Sequence, residues 1–225
     1  HVDALNSNEN RGRISRYLIE YDANGYVSTL RYAAFQNIRV GDAQGIYGRH
    51  FVRDKKGRVI EENYLGPDGQ PKATKWGLGR KLFTYDADDN WTCATYQTVD
   101  GQPSLDAENG TAICENHYDK YGNCIHQYFK SADGQRMIPG IYGVAGQSNE
   151  YDENGYIRRC SYIGIDGKPA FSADQGFASY TTTCNEYGFF NEMRYFDLEG
   201  RPCTNRSGYA IRRIVTDAQG NLLED

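Results

Sequence analysis

The chain has 225 residues, 25 of them Gly and 19 Tyr, with only 2 Met and a formal charge of −5. No basic tract accompanies that charge, which argues against nucleic acid, whose phosphates need a Lys/Arg patch. No apolar run approaches the roughly 20 residues needed for a transmembrane helix, and the abundance of Tyr suits thin layers, where each ring has an apolar body and a polar tip.

The chain reads as tandem units of 32 or 33 residues, and a fixed period of this length marks a repeat array. Residues 1–12 look like the tail of a preceding unit, because Asn8-Glu9-Asn10-Arg11-Gly12 resembles the approach to Gly45 or Gly110. The unit starting near 13 carries a turn at Asp22–Gly25, then Val27 and Tyr32, with Gln36-Asn37 where later units have Asp-Gly. The unit near 45 carries Asp54–Gly57, Val59, Tyr64 and Asp68-Gly69-Gln70-Pro71. The unit near 77 has Asp89 in place of the turn glycine, then Trp91, Tyr96 and Asp100-Gly101-Gln102-Pro103. The unit near 110 carries Asp119–Gly122, Cys124, Phe129 and Asp133-Gly134. The unit near 143 carries Asp152–Gly155, Ile157, Tyr162 and Asp166-Gly167-Lys168-Pro169. The unit near 176 carries Asn185–Gly188, Phe190, Tyr195 and Glu199-Gly200-Arg201-Pro202. A terminal half-unit, 208–225, holds Asp217–Gly220 and Leu222.

Asp-x-x-Gly suits a turn closed by a left-handed residue between antiparallel strands. Asp89 can replace glycine there because Asp tolerates that conformation better than most residues. The flanks are rich in Tyr, Ile, Val, Thr and Phe, so Phe51-Val52-Arg53 and Arg58-Val59-Ile60 read as hairpin arms. Asp-Gly-x-Pro reads as a second turn that ends an arm, since Pro cannot donate to a ladder. The stretch up to the third glycine, such as 104–109, reads as an irregular return loop. No window has a capped helical period. The expected fold is therefore all-β: one array over 1–225, open or solenoidal, with a closed propeller-like ring as the alternative. A chain that begins and ends in half-units fits a piece cut from a longer array, or two halves completing one unit.

Tyr151-Asp152-Glu153-Asn154-Gly155, Asp166-Gly167-Lys168-Pro169 and Gly176-Phe177-Ala178 together resemble a bacterial tandem repeat in which a Tyr-Asp-x-x-Gly hairpin alternates with an Asp-Gly-x-Pro turn. Leu65-Gly66-Pro67-Asp68-Gly69-Gln70-Pro71 looks like the same element. The resemblance covers nearly the whole chain. It is similar to the Tyr-Asp repeats of Rhs-type surface proteins and to Trp-Gly-type repeats, whose spacings differ. It implies a bacterial protein that is extracellular, at the cell surface or periplasmic, and it carries no catalytic residues.

The residues with chemistry are few. Cys93, Cys114, Cys124, Cys160, Cys184 and Cys203 allow fifteen full pairings, which the sequence does not choose among. Bridges between Cys114 and Cys124 or Cys160 and Cys184 are conceivable, and buried thiols are the competing reading. Cys114, His117, Cys124 and His126 are zinc-ligand types, but strand alternation places Cys114 and His117 on opposite faces. Asp86, Asp88 and Asn90 begin like an EF-hand loop, yet Trp91 and Gln97 replace its Gly and Glu. No cofactor is therefore expected, beyond weak calcium at stacked Asp turns. The ring ten residues after each turn reads as core, as does Trp91. Trp76 and Tyr142 stand where other units carry Gln44, Asn109, Gln175 and Ser207, so both are expected at the surface, placed to contact a ligand. No nucleophile elbow, zinc-protease motif or phosphate loop appears, so no enzyme is expected. Asn90, Asn109 and Asn205 head glycosylation sequons. The leading reading is a non-catalytic module binding glycan or protein. The alternative is a structural spacer or fibre subunit that self-associates through its end edges, and a remote third is an enzyme on a propeller scaffold.

Overall fold

The computed structural model describes residues 14–106, 110–134 and 142–224. The half-unit read at 1–12 and the sequon asparagine Asn109 lie outside them. Two compact units are present, His1–Tyr85 with Cys93–Ala107, and Asp86–Thr92 with Glu108–Asp225. The first contains β1 (Arg16–Tyr21), β2 (Val27–Ala33), β3 (Gly48–Arg53), β4 (Val59–Leu65), β5 (Arg80–Tyr85) and most of β6 (Trp91–Gln97). The second contains β7 (Ile113–Tyr118), β8 (Cys124–Lys130), β9 (Gly146–Tyr151), β10 (Ile157–Ile163), β11 (Ser179–Cys184), β12 (Phe190–Phe196) and β13 (Ile211–Arg213). It also holds a separate pair, β14 (Val215–Thr216) and β15 (Leu222–Glu224). Within each unit the sheet follows chain order and does not close on itself. The fold is an open all-β array of consecutive hairpins, not a ring. The described residues contain no α-helix, only one 3-10 turn at Phe35–Asn37.

Each hairpin turn is built the same way. The Oδ1 of Asp22 accepts the backbone N–H groups of Asn24 and Tyr26, each at 2.9 Å. Asp54, Asp86, Asp119, Asp152 and Asp217 hold their own turns through the same two bonds, as does Asn185. Such side-chain caps mimic a backbone turn, which is why Asp or Asn opens every one. The closing residue is left-handed, with φ 83° at Gly25 and 68° at Asp89. A register shift beside the turn recurs in β1–β2, β3–β4, β7–β8, β9–β10 and β11–β12. One extra residue there raises the local twist.

The second turn also has the expected form. The residue after each Pro donates its N–H to the carbonyl of the buried ring residue: Lys72 to Tyr64, Ser104 to Tyr96, Ala170 to Tyr162 and Cys203 to Tyr195. Pro thus occupies the position whose missing donor costs nothing. In the first repeat Gln36 and Asn37 both adopt positive φ, and Arg39 stands in the Pro position, with Val40 N–H on Tyr32 O. The turn survives without its glycine.

The third glycine departs from the sequence reading. At Gly45, Gly77, Gly176 and Gly208 it closes a genuine turn and not an irregular return, while 107–109 of the stretch read from sequence lie outside the described residues. Asp42 Oδ1 accepts Gln44 and Ile46 N–H, and Asn205 Oδ1 accepts those of Ser207 and Tyr209. The next residue plunges into the core at Ile46, Leu78, Thr111, Val144 and Phe177, all buried.

The rings ten residues after each turn form the core row. Tyr32, Tyr64, Tyr96, Phe129, Tyr162 and Tyr195 are each 6 % exposed or less. Their N–H groups reach the next repeat: Tyr32 to Tyr47 O, Tyr64 to Gly79 O, Phe129 to Ala145 O, Tyr162 to Ala178 O. The apolar residue five after each turn contributes less. Trp91, read as core, is half-buried, and Leu222 is exposed. That position sits at the turn end of the hairpin, where fewer neighbours cover it.

A second contact between repeats was not visible in the sequence. The Tyr before a turn reaches back one repeat with its hydroxyl. Tyr85 donates to Val59 O at 2.7 Å, Tyr118 to Trp91 O and Tyr151 to Cys124 O, both at 2.8 Å. This is a physical reason for Tyr-Asp at those turns. Asn149 Nδ2 also donates to Cys124 O at 3.0 Å, a second donor on the carbonyl that Tyr151 reaches. Tyr85→Phe is therefore expected to cost about 1 kcal/mol, and Tyr151→Phe less. Urea midpoints at unchanged slope would check this, and equal losses would contradict it.

Burial raises the Tyr32, Tyr85, Tyr118, Tyr151, Tyr162 and Tyr180 hydroxyls above their ordinary value of 10.0. A raised folded pKa favours the neutral phenol in the native state. The stabilisation is thus intact below pH 10 and is lost as pH climbs through the raised values. Denaturant titrations across this window should show stability level up to pH 10 and falling above it.

Candidate functional site

Trp76 and Tyr142 lie in different units. Trp76 is 51 % exposed in the turn Thr74–Gly77, its N–H on Thr74 Oγ1 at 3.3 Å. Lys75 Nζ stands 4.4 Å from its ring centroid, a cation–π contact. Tyr142 is 36 % exposed, and its carbonyl accepts the Ser172 hydroxyl at 2.5 Å. Its ring lies 5.9 Å from that of Tyr162.

Tyr142 borders a cleft of about 530 Å³ in the second unit. Phe129, Tyr162, Phe177 and Tyr195 form its aromatic floor. Phe177 stacks on Tyr162 at 5.5 Å and tilts against Tyr195 at 4.8 Å, with Tyr180 edge-on at 5.9 Å. The walls are Gln127 of β8, Gln147 of β9, Tyr180 of β11 and Met193 of β12. Gln175 and Asn205 close it from two of the third-glycine turns. Among the described residues no Asp, Glu, Lys, Arg or His lines it.

Polar atoms in the cleft are held in place. Gln127 and Gln147 are direct cross-strand partners. Gln127 Nε2 donates to Asn116 Oδ1 at 3.1 Å, and Gln147 Oε1 accepts the Cys160 thiol at 3.7 Å. Burial pushes that thiol up to about 11, so it stays protonated at neutral pH. Burial also raises Tyr162 and Tyr180, which remain neutral donors.

The walls follow from two strand positions that the repeat leaves free. The second residue of each incoming strand is Arg49, Lys81, Cys114, Gln147, Tyr180 or Arg212. The residue eight after each turn is Leu30, Glu62, Ala94, Gln127, Cys160 or Met193. In the first unit three of these residues, Arg49, Glu62 and Lys81, are charged and engaged. Arg49 Nη1 meets Glu62 Oε1 at 2.8 Å, Arg49 Nε donates to Tyr32 OH at 3.0 Å, and Lys81 Nζ lies 5.4 Å from the Tyr96 ring. In the second unit Gln127, Gln147, Tyr180 and Met193 at these positions are uncharged and line the cleft, Cys114 and Cys160 are buried, and Arg212, opposite Met193, borders an adjoining cleft with Tyr195 and Asn205. Tyr142, singled out from the sequence, borders this cleft, whereas Gln127, Gln147, Tyr180 and Met193 were not singled out. The usable signal was variation at these two strand positions, of the kind that had marked Trp76 and Tyr142 in the third-glycine turn.

A second cleft of about 520 Å³ is bordered by Glu150, Arg158, Arg159, Thr181, Thr183, Glu192 and Arg194. Within it Glu192 pairs with Arg194 at 2.6 Å, and Glu192 also reaches Arg213 at 2.8 Å.

All six cysteines are free thiols. The two bridges considered from sequence do not fit the register. Cys114 faces Phe129 while Cys124 faces Tyr118, and Cys160 faces Tyr180, four residues before Cys184. Four strand residues span about 13 Å, beyond the ~7 Å Cα limit of a disulfide. Cys114 is buried on one face, and His117 is half-exposed on the other with Nε2 2.7 Å from Glu115. Cys124 Sγ donates to His126 O at 3.3 Å. Among the described residues no three His, Cys, Asp or Glu side chains converge on a metal position. Asp86 spends its carboxylate on its own turn, including Asn90 Nδ2 at 3.0 Å. No described helix is long and apolar enough to cross a membrane.

No protein-family model matches the chain, and no curated protein matches it. Solved structures similar to it include a complex described as TcdB2-TccC3-Cdc42, at 13 % identity and TM-score 0.44, covering 92 % of this chain and 10 % of that one. Another is TcdB2-TccC3-TEV, at 10 % identity and TM-score 0.37, covering 93 % of this chain and 12 % of that one. The chain thus spans about a tenth of the length of these structures.

Proposed function

We propose that this chain is a non-catalytic repeat module of a bacterial surface or secreted protein, and that it binds its ligand in the cleft bordered by Tyr142. The observation that carries this reading is an aromatic floor left open between uncharged walls, at positions where the first unit places Arg49, Glu62 and Lys81. Its volume of about 530 Å³ lies within the roughly 300–1,000 Å³ typical of small-ligand sites. The groups present hold and orient; the Cys160 thiol beside them is protonated and occupied, and the Cys203 thiol packed against the floor donates to Gly176 O. Glycan or a protein side chain is the ligand class that such a surface takes.

The test is binding of the intact chain to arrayed glycans and proteins, followed by single substitutions. Tyr142→Ala should weaken the ligand found by about 10-fold, the effect of losing a contact worth ~1.4 kcal/mol. Trp76→Ala, in the first unit, should leave it unchanged. Loss with Trp76→Ala alone would move the site, and no binding across the panel would remove the reading.

A structural spacer is the second reading. It is favoured by the repeated hydroxyl contacts of Tyr85, Tyr118 and Tyr151, which tie each hairpin to the one before. Sedimentation that grows with concentration would support it.

A further inference from the structure

We infer that the cleft selects a neutral saccharide, recognised as a pyranose chain without carboxylate or sulfate substituents; this rests on the binding reading above and narrows it.

Three observations carry it. The first is charge. A cleft for an acidic glycan or a phosphate needs a cation in the wall, and none of the described lining residues supplies one, Arg212 opposite Met193 lining the adjoining cleft instead. A cationic ligand would want a carboxylate, which the described lining equally lacks. The second is the orientation of the carboxamides. Gln127 commits its Nε2 to Asn116, which leaves Oε1 as an acceptor. Gln147 commits its Oε1 to the Cys160 thiol, which leaves Nε2 as a donor. These side chains face each other across β8 and β9, so directly opposed Cβ atoms set them about 5 Å apart. The cleft therefore offers one acceptor beside one donor, and a sugar hydroxyl can both donate and accept. The third is the aromatic surface. Tyr142 and Tyr180 are partly exposed rings beside the buried floor. The C–H face of a pyranose packs on such rings, and its equatorial hydroxyls then point to the walls.

A protein partner fits less well. A stable protein contact covers about 800 Å² per partner around an apolar anchor, whereas here the polar groups are amides converging on a confined cleft.

The experiment is calorimetric titration of the whole chain with cellohexaose, maltohexaose, mannohexaose, xylohexaose and hexagalacturonate. At least one neutral hexasaccharide should bind, with affinity changing less than about 2-fold between roughly 50 and 500 mM salt. Hexagalacturonate should bind at least about 10-fold more weakly. Gln127→Ala and Gln147→Ala should each lower the neutral affinity by about 10-fold, and Gln147→Leu, close in volume, should do the same if alanine disturbs packing. Tighter or salt-sensitive binding of the galacturonate would overturn the inference while leaving the binding reading in place. So would capture of a protein partner by the Tyr142 surface with no sugar bound. Absence of any ligand for the cleft would end both.

Discussion

Replacing Tyr32 with alanine is expected to destabilise the first unit by about 3–5 kcal/mol, the cost of emptying a large buried aromatic site. Tyr32 is 0 % exposed and lies edge-on to Tyr17 with centroids 5.9 Å apart. Its hydroxyl accepts Arg49 Nε at 3.0 Å, and Arg49 in turn holds Glu62. Alanine would remove the ring and an acceptor from a mostly buried guanidinium together. Tyr32→Phe separates the two effects. It keeps the ring and should cost about 1.5–3 kcal/mol, the range for a hydrogen bond to a charged group. Chemical denaturation followed by tyrosine fluorescence would read both. Equal losses for Phe and Ala would show that the hydroxyl, and not the packed ring, carries the site.

The second large effect separates the sequence repeat from the structure. Gly79 stands two residues after a third-glycine turn, where Ala112, Ala145 and Ala178 occupy the same place and are buried. By that pattern Gly79→Ala would be harmless. In the structure, an added Cβ runs into the backbone N of Val99, with Thr98 C and Val99 Cα at 2.7 Å. All three atoms are backbone, so no rotamer change relieves the overlap. Gly79 also sits inside the ladder, its N–H on Gln97 O at 2.8 Å and its carbonyl accepting Tyr64 N–H at 3.1 Å. Overpacking costs about 1–3 kcal/mol, and this case belongs at the upper end because the strand itself must shift. Thermal melts of Gly79→Ala beside Ala145→Gly would check it. A neutral Gly79→Ala would mean that the second turn of that repeat is looser than described.

Much of the fold was legible because local chemistry and register repeat together. Asp at the head of a turn and Gly at its close are demanded by hydrogen bonds and positive φ, and both are visible in letters. The aromatic row was legible because Tyr32, Tyr64, Tyr96, Phe129, Tyr162 and Tyr195 fall at one fixed distance from those turns. The third-glycine turn was misread as irregular because its first residue changes from Asp42 to Thr74 to Asn205, three side chains that cap in the same way. Trp91 was over-read, since an apolar letter does not say how many neighbours reach it. The hydroxyl contact from Tyr85 to Val59 O joins residues 26 apart and is set by how hairpins stack, which no local pattern encodes.

The cleft was legible only in part. Tyr142 stood out because its equivalents are polar. Gln127, Gln147, Tyr180 and Met193 did not, because each looks ordinary on its own strand. Their meaning comes from the pairing of Gln127 with Gln147 and of Tyr180 with Tyr195, which brings strand positions from successive repeats to one surface.

The most direct test of the binding account is a methyl spectrum of protein labelled at methionine. The chain has 2 Met, and Met193 lines the cleft. Met193→Leu assigns its signal. Titration with the hexasaccharide panel should move the Met193 methyl in step with the binding isotherm. A ligand that saturates the protein while that signal stays fixed, or a panel that leaves it fixed throughout, would contradict the cleft as the site.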